Sequence, residues 1–183
     1  MRPLRRILDE HRLTPAAVLL THGHIDHMWS AQNVSDTYGC PTYIHPEDRC
    51  MLTDPIRGFG PRLAQVAFGA LFREPRQVVE LDRDGDKIEL GGITVAVDHT
   101  PGHTKGSICF LLEGWPILFS GDTLFPGGPG NTVHGGHFPT IIKSLDERLL
   151  PLPAETIVLP GHGLDTTIGS ERPHLQEWVD RGF

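Results

Sequence analysis

Residues 21–27 read Thr-His-Gly-His-Ile-Asp-His and come directly after the apolar run Ala17-Val18-Leu19-Leu20. The apolar run predicts a buried strand, so the histidine-rich stretch falls in the loop at its carboxyl end, where binding sites are commonly built. In an extended segment, residues two apart point to the same side, so His22 and His24 can present both imidazoles to one metal ion. Gly23 between them removes steric obstruction.

The same loop offers two more ligands, Asp26 and His27, where the chain turns into the next predicted helix. These side chains can face a second ion beside the first. Three small-residue turns elsewhere each end a predicted strand and offer one ligand apiece: Thr100-Pro101-Gly102-His103-Thr104, Ser120-Gly121-Asp122-Thr123 and Leu159-Pro160-Gly161-His162-Gly163. Nitrogen and carboxylate ligands without cysteine suit zinc, and iron and manganese also accept them, so the metal's identity stays open.

The predicted elements alternate in the first half of the chain. They are a helix over Pro3–Arg12, the strand Ala17–Leu20, a helix over Ser30–Tyr38 closed by Gly39, and the strand Pro41–Ile44. The proline-bracketed segment Asp54–Pro75 predicts a helix over Leu63–Phe72, which we interpret as a mobile flap over the site.

From Val78 onward the pattern favours a meander of strands, followed by helices. The predicted strands are Val78–Leu81, Lys87–Leu90, Ile93–Val97, Ser107–Leu112 and Pro116–Phe119. A helix over Ile141–Leu150, the strand Thr156–Leu159 and a last helix from about Ser170 complete the order. An α/β chain with this order fits a layered αββα sandwich.

The composition of the chain limits its domain organisation, its partners and its cellular compartment. At 183 residues and 38% hydrophobic, the chain predicts a single domain over residues 1–183. A net charge of −7 argues against a nucleic-acid partner. The basic start Met1–Arg6 is not followed by an apolar region, so no signal peptide is expected, and no apolar stretch is long enough to span a bilayer. A cytoplasmic protein is therefore predicted. Its three cysteines, Cys40, Cys50 and Cys109, are predicted to be reduced, with Cys109 as core filler.

The four motifs together resemble those of metallo-β-lactamase-fold hydrolases, particularly the glyoxalase II-like thioesterases. The resembling stretches are Thr-His-Gly-His-Ile-Asp-His at 21–27, Thr-Pro-Gly-His-Thr at 100–104, Gly-Asp-Thr-Leu-Phe at 121–125 and Leu-Pro-Gly-His-Gly at 159–163. The resemblance implies two divalent ions per chain, with zinc as the first choice. It implies that His22, His24 and His103 hold the first ion, that Asp26, His27 and His162 hold the second, and that Asp122 bridges both.

The chain departs from the family pattern at its start. Family members carry an N-terminal β hairpin before the first helix, whereas this chain starts almost in that helix. The expected fold is therefore a four-layer αββα metallo-β-lactamase sandwich that is N-terminally shortened. Either the true start lies upstream, or the sheet has an open edge that a partner or a rearrangement must cover, for which a homo-oligomer is one expectation.

A second departure concerns the substrate. Glyoxalase II enzymes carry a basic and an aromatic residue after the bridging aspartate to grip glutathione, but residues 128–133 read Gly-Pro-Gly-Asn-Thr-Val. An aspartate at the bridge also makes β-lactam hydrolysis a less expected activity than in enzymes with a cysteine there. We expect this loop, with His134 and His137, to shape another pocket, and both a loop-structural and a substrate-contacting role stay open for these histidines. His11, His45, His99 and His174 are interpreted as surface or core-edge histidines.

The predicted reaction is hydrolysis of a small acyl substrate, a thioester, ester or lactone. In this hypothesis a metal-bridging hydroxide attacks the carbonyl carbon, and Asp26 orients it and accepts its proton. Two alternatives stay open. One is a mononuclear iron sulfur dioxygenase that uses His22, His24, His103 and Asp122, and the other is a non-catalytic metal-binding or interaction module.

Overall fold

The computed structural model describes residues 2–55 and 72–182, and its first half alternates short helices with short strands. In order, these elements are α1 (Arg2–His11), β1 (Val18–Leu19), α2 (Ile25–Met28), α3 (Ala31–Tyr38), β2 (Thr42–Ile44), α4 (Pro46–Arg49), a 3-10 turn at Cys50–Leu52 and β3 (Val78–Glu80). Helix α3 ends at Gly39 in the left-handed conformation, as its sequence predicts. The predicted flap helix over Leu63–Phe72 falls almost wholly in residues 56–71, outside the described residues.

The second half begins with strands and ends with helices. The strands are β4 (Lys87–Leu90), β5 (Ile93–His99), β6 (Ile108–Leu112), β7 (Ile117–Gly121), β8 (Leu124–Phe125), β9 (Gly128–Pro129), β10 (Ile157–Pro160) and β11 (Thr166–Thr167). The helices are α5 (Phe138–Ser144), which continues into a π-helical turn at Leu145–Leu149, α6 (Ile168–Glu171), a 3-10 turn at Arg172–His174, and α7 (Leu175–Arg181).

Two sheets form the centre of the fold. Strands β1, β2 and β3 pair in parallel, with β1 at the edge of this sheet. The larger sheet has the order β11-β10-β7-β6-β5-β4, in which β4 to β7 are antiparallel neighbours and β10 runs parallel to β7. Strands β5, β7 and β10 therefore all run the same way, and their carboxyl ends lie at one edge of the sheet.

Among the described residues, three apolar clusters fill the spaces between four layers. The cluster between the sheets contains Leu81, Val97 and Phe110, and the one between the small sheet and α2–α3 contains Leu20, Met28 and Ile44. The third cluster packs the outer face of the larger sheet against the C-terminal helices, and its members include Cys109, Leu118, Leu145, Val158, Ile168 and Trp178. Because neighbouring residues of β6 enter different clusters, this strand is buried on both faces. The predicted αββα sandwich is thereby confirmed, as is Cys109 as core filler.

Two helix starts differ from the sequence predictions by more than one residue. Helix α5 begins at Phe138, not Ile141, because Pro139 is tolerated in a first helical turn. The last helical region begins at Ile168, not Ser170, because Thr167 is the N-cap and its hydroxyl accepts the Ser170 amide. Within residues 2–55 and 72–182, no helix is long and apolar enough to cross a bilayer.

Candidate metal centre

The seven predicted ligands converge at the strand ends. His103, Asp122 and His162 follow β5, β7 and β10, whose carboxyl ends share one edge of the larger sheet. The loop after β1 is fastened to the same edge, because the Ile108 amide donates to the Thr21 carbonyl at 2.9 Å. The fold thus brings His22, His24, Asp26 and His27 onto the ligands from the second half of the chain.

Three buried histidines form the inner group. The rings of His22, His24 and His103 lie 4.6 to 4.8 Å apart between centroids and are nearly perpendicular to one another. The Nδ1 atom of His24 is 2.9 Å from the Nε2 atom of His103. These rings present nitrogens to one small space, as three ligands of a single ion would.

Hydrogen bonds on the far side of two rings orient the inner group. His103 Nδ1 lies 2.6 Å from the main-chain carbonyl of Asn131, which can only accept, so Nδ1 carries the proton and neutral Nε2 keeps its lone pair. His22 Nδ1 lies 3.2 Å from the Thr21 hydroxyl, while its buried Nε2 has no hydrogen-bond partner among the described residues. Such outer hydrogen bonds are typical of metal-bound histidines.

Burial favours the neutral form of the inner histidines. It lowers the pKa of His24 to about 4, with the neighbouring His103 adding to the effect. Burial also lowers the pKa of His22, well below its ordinary value, and that of His103. Neutral imidazoles with inward lone pairs are the form that binds a metal ion.

The outer group consists of Asp26, His27 and His162. His162 Nε2 lies 3.1 Å from Asp26 Oδ2 and 3.0 Å from His27 Nε2. The side chains of Asp26 and His162 are 54% and 55% exposed, against 12% for His27, so this group opens to solvent. A substrate can therefore approach the centre from this side.

Asp122 lies between the two groups. Its Oδ1 is 3.4 Å from His27 Nε2, and its Oδ2 is 3.7 Å from His103 Nε2 and 3.9 Å from His162 Nε2. Although burial alone would raise its pKa, the contact with His27 and the other histidines holds the pKa of this carboxyl below its ordinary value. Asp122 is thus ionised at neutral pH, and its Oδ1 is buried with no hydrogen-bond partner among the described residues. His22 and Asp122, which each have a buried polar atom without such a partner, belong to one group whose ligand atoms lie within 4.8 Å of one another, as ligands of divalent ions would.

A cleft of about 340 Å³ adjoins the inner group at His24. Its walls come from α4, the 3-10 turn after it, the turn after His103 and the loop before α5. The lining residues are Glu47, Asp48, Cys50, Met51, Thr104, Lys105, His134 and Gly135. Of the two loop histidines left open by the sequence, His134 lines this cleft, whereas His137 contacts the Thr140 hydroxyl and forms the N-cap of α5.

The remaining histidines lie outside the cluster, as predicted. His45 stacks on His99 at 4.1 Å between centroids, His174 pairs with Glu177, and His11 is exposed at the end of α1. Sequence reasoning overlooked three residues near the centre: Asn131, Lys105 and Asp48. Lys105 directly follows the Thr-Pro-Gly-His-Thr motif, a signal that could have placed it beside His103.

Comparisons with known proteins agree with this architecture. The model of the metallo-beta-lactamase superfamily matches residues 2–162. An uncharacterized protein of Mycobacterium leprae is 68% identical over 174 residues, which are 94% of this chain and 80% of that protein. The hydroxyacylglutathione hydrolase GloC of Haemophilus influenzae is 33% identical over 166 residues, which are 90% of this chain and 76% of that protein.

Two solved structures share the fold. The B3 metallo-beta-lactamase BLEG-1 superposes with a TM-score of 0.80 at 36% identity, covering 97% of this chain and 84% of that one. A di-iron-bound form of TTHA1623 superposes with a TM-score of 0.75 at 35% identity, covering 93% of this chain and 81% of that one.

Proposed function

Since this chain belongs to the metallo-β-lactamase superfamily, we propose that it is a dinuclear metal-dependent hydrolase of small thioesters, esters or lactones. The observation that carries the proposal is the convergence of seven ligands in two overlapping groups, with Asp122 between them. Members of the superfamily typically bind two divalent ions. Because TTHA1623 has a di-iron-bound form, iron is a candidate metal as well as zinc. Zinc is our first choice because the ligands are imidazoles and carboxylates.

Each ligand has a distinct role in this proposal. His22, His24 and His103 would hold the inner ion, Asp26, His27 and His162 would hold the outer ion, and Asp122 would be shared between them. Two divalent ions bound there would bring the pKa of a water molecule toward neutrality and would polarise the carbonyl group of the substrate. Asp26, half-exposed at the open side, orients the attacking water and accepts its proton.

The cleft beside His24 is the proposed site for the acyl or leaving group. Lys105 offers a cation to an anionic substituent, and Met51 offers an apolar wall. GloC is named for a glutathione thioester, so such a thioester is a sensible test substrate even though residues 128–133 lack the basic and aromatic residues with which glyoxalase II enzymes bind glutathione.

The three free cysteines are consistent with a reducing compartment, and we propose the cytoplasm.

A loading and turnover experiment tests the proposal. The purified chain is stripped with a chelator, reloaded with Zn(II), Fe(II) or Mn(II), and its metal content is measured. Each form is then assayed with a hydroxyacyl-glutathione thioester, a small acyl thioester, an aryl ester, a lactone and a β-lactam. We expect two ions per chain and turnover of at least one thioester, ester or lactone.

Two outcomes would overturn the proposal. One is full loading with two ions and no turnover of any substrate, which would support a binding module. The other is a single iron per chain with oxygen consumption on a thiol or persulfide substrate, which would support the dioxygenase. An Asp122→Ala variant, assayed in parallel, shows whether any turnover comes from a contaminating enzyme.

A further inference from the structure

Asp48 is a buried carboxylate beside the metal centre that the proposed mechanism leaves without a role. It lies in α4, just after β2, and only 1% of its surface is exposed. A buried carboxylate is costly unless its oxygens are well paired. The identity of its partners therefore indicates what it does.

The partners of Asp48 come from two ligand-bearing loops. Oδ2 accepts the amide of Gly23 at 2.9 Å, and Gly23 is the residue between His22 and His24. The same oxygen accepts the Thr104 hydroxyl at 2.7 Å, and Oδ1 accepts the amide of Gly106 at 2.9 Å, both in the turn that follows His103. One side chain thus joins the two loops that supply all three ligands of the inner group.

The close packing of both loops on Asp48 supports this reading. A Cβ atom on Gly106 would lie 2.7 Å from the Asp48 carboxylate, and one on Gly23 would lie 2.9 Å from the Asp48 carbonyl. Both glycines therefore let the main chain approach Asp48 more closely than any other residue could. Within the turn, the Thr104 hydroxyl also lies 2.7 Å from that of Ser107, so Thr104 is held on two sides.

We propose that Asp48 is a positioning residue that sets the spacing of His22 and His24 relative to His103 and thereby tunes affinity for the inner metal ion. This inference rests on the proposed metal centre. Two divalent ions bring more positive charge than Asp26 and Asp122 offset, so a third carboxylate nearby also favours the loaded state electrostatically. Outer residues of this kind commonly change metal affinity when they are replaced.

The test is a Kd measurement on Asp48→Asn by competition with a chromophoric chelator, alongside the Co(II) absorption spectrum and the melting temperature of the metal-free protein. Asparagine keeps the size of the side chain but turns an NH2 group toward N–H or O–H donors. We expect the Kd of the more tightly bound metal ion to rise about 10- to 100-fold and the Co(II) absorption bands to shift.

Glu171→Gln is the matched control. Glu171 is also buried, and it accepts one amide, from Gly127 at 2.9 Å, and one threonine hydroxyl, from Thr166 at 2.6 Å, next to the C-terminal helices. This variant should lower the melting temperature without weakening the tighter metal equivalent. If Asp48→Asn fails to fold, Thr104→Val and Thr104→Ser replace it, and valine, which lacks the hydroxyl donor, should bind metal more weakly than serine.

Wild-type affinity and an unchanged Co(II) spectrum in Asp48→Asn would overturn the inference, whatever the melting temperature. Equal weakening by Glu171→Gln would overturn it too, because the effect would then be general destabilisation. Failure of the wild-type chain to bind metal would instead overturn the proposed function, so the two failures are distinguishable.

Discussion

The Nδ1 atom of His103 donates to the main-chain carbonyl of Asn131 at 2.6 Å, which fixes the tautomer of a ring in the inner group. The position of this carbonyl depends on Gly130, the preceding residue. A Cβ atom on Gly130 would overlap the main-chain oxygen of Asp122. A change at Gly130 would therefore affect the positions of both His103 and Asp122.

Gly130→Ala should displace the loop at residue 131. This shift should weaken the hydrogen bond between His103 Nδ1 and the Asn131 carbonyl and disturb the packing of Gly130 on the main chain of Asp122. We expect metal affinity to fall about 10- to 100-fold, in the range seen when outer partners of metal ligands are removed. The measurement is the metal Kd by chelator competition. Asn131→Ala is the comparison, because it keeps the carbonyl and removes only the side-chain acceptor for the Val133 amide. Stronger weakening by Asn131→Ala than by Gly130→Ala would contradict this account.

Asp122→Ala removes the carboxylate that lies between the two groups. Activity should fall by more than about 100-fold, because the loss of a ligand exceeds the loss of an outer partner. Metal content after desalting should fall as well. Elemental analysis together with the turnover assay checks both expectations. A variant that retained both wild-type activity and metal content would exclude Asp122 from the centre.

His162→Ala removes a ligand of the outer group alone. The side chain is 55% exposed, so its loss should cost little stability. We expect the number of tightly bound ions to fall from two to one, because the buried inner group of His22, His24 and His103 is untouched. Titration with Co(II), followed by absorption, counts the ions. Retention of two tight equivalents would contradict the assignment of His162.

Much of this centre could be predicted because its ligands lie in local patterns. Each ligand-bearing motif follows an apolar strand, and glycine-containing turns mark where the strands end. The ends of the strands can therefore be located from the sequence alone. The parallel run of β5, β7 and β10 then brings the ligands together.

Asp48 escaped prediction because its role depends on contacts far apart in sequence. Its donors lie 25, 56 and 58 residues away, and the segment around it reads as an ordinary helix start. Asn131 acts through its main chain, which no side-chain pattern reveals. Strands β8, β9 and β11 have two residues each, too few to show any periodicity.

The metal-free protein should lose stability as the pH falls from about 6.5, the ordinary pKa of histidine, toward about 4. Burial lowers the pKa of His24 to about 4, so the unfolded chain takes up a proton in this window before the folded chain does. Stability supplied by neutral His24 is therefore present above pH 6.5 and is lost as the pH falls through the window, by about 3 kcal/mol at most for this residue. His22 and His103, whose pKa values are also lowered by burial, should act in the same direction. Thermal melts of chelator-treated protein across this range check the slope, and His24→Asn, which cannot titrate, should make it shallower, while His22 and His103 keep part of it. Equal slopes for both proteins would show that folding does not lower the pKa of His24, and would contradict this prediction.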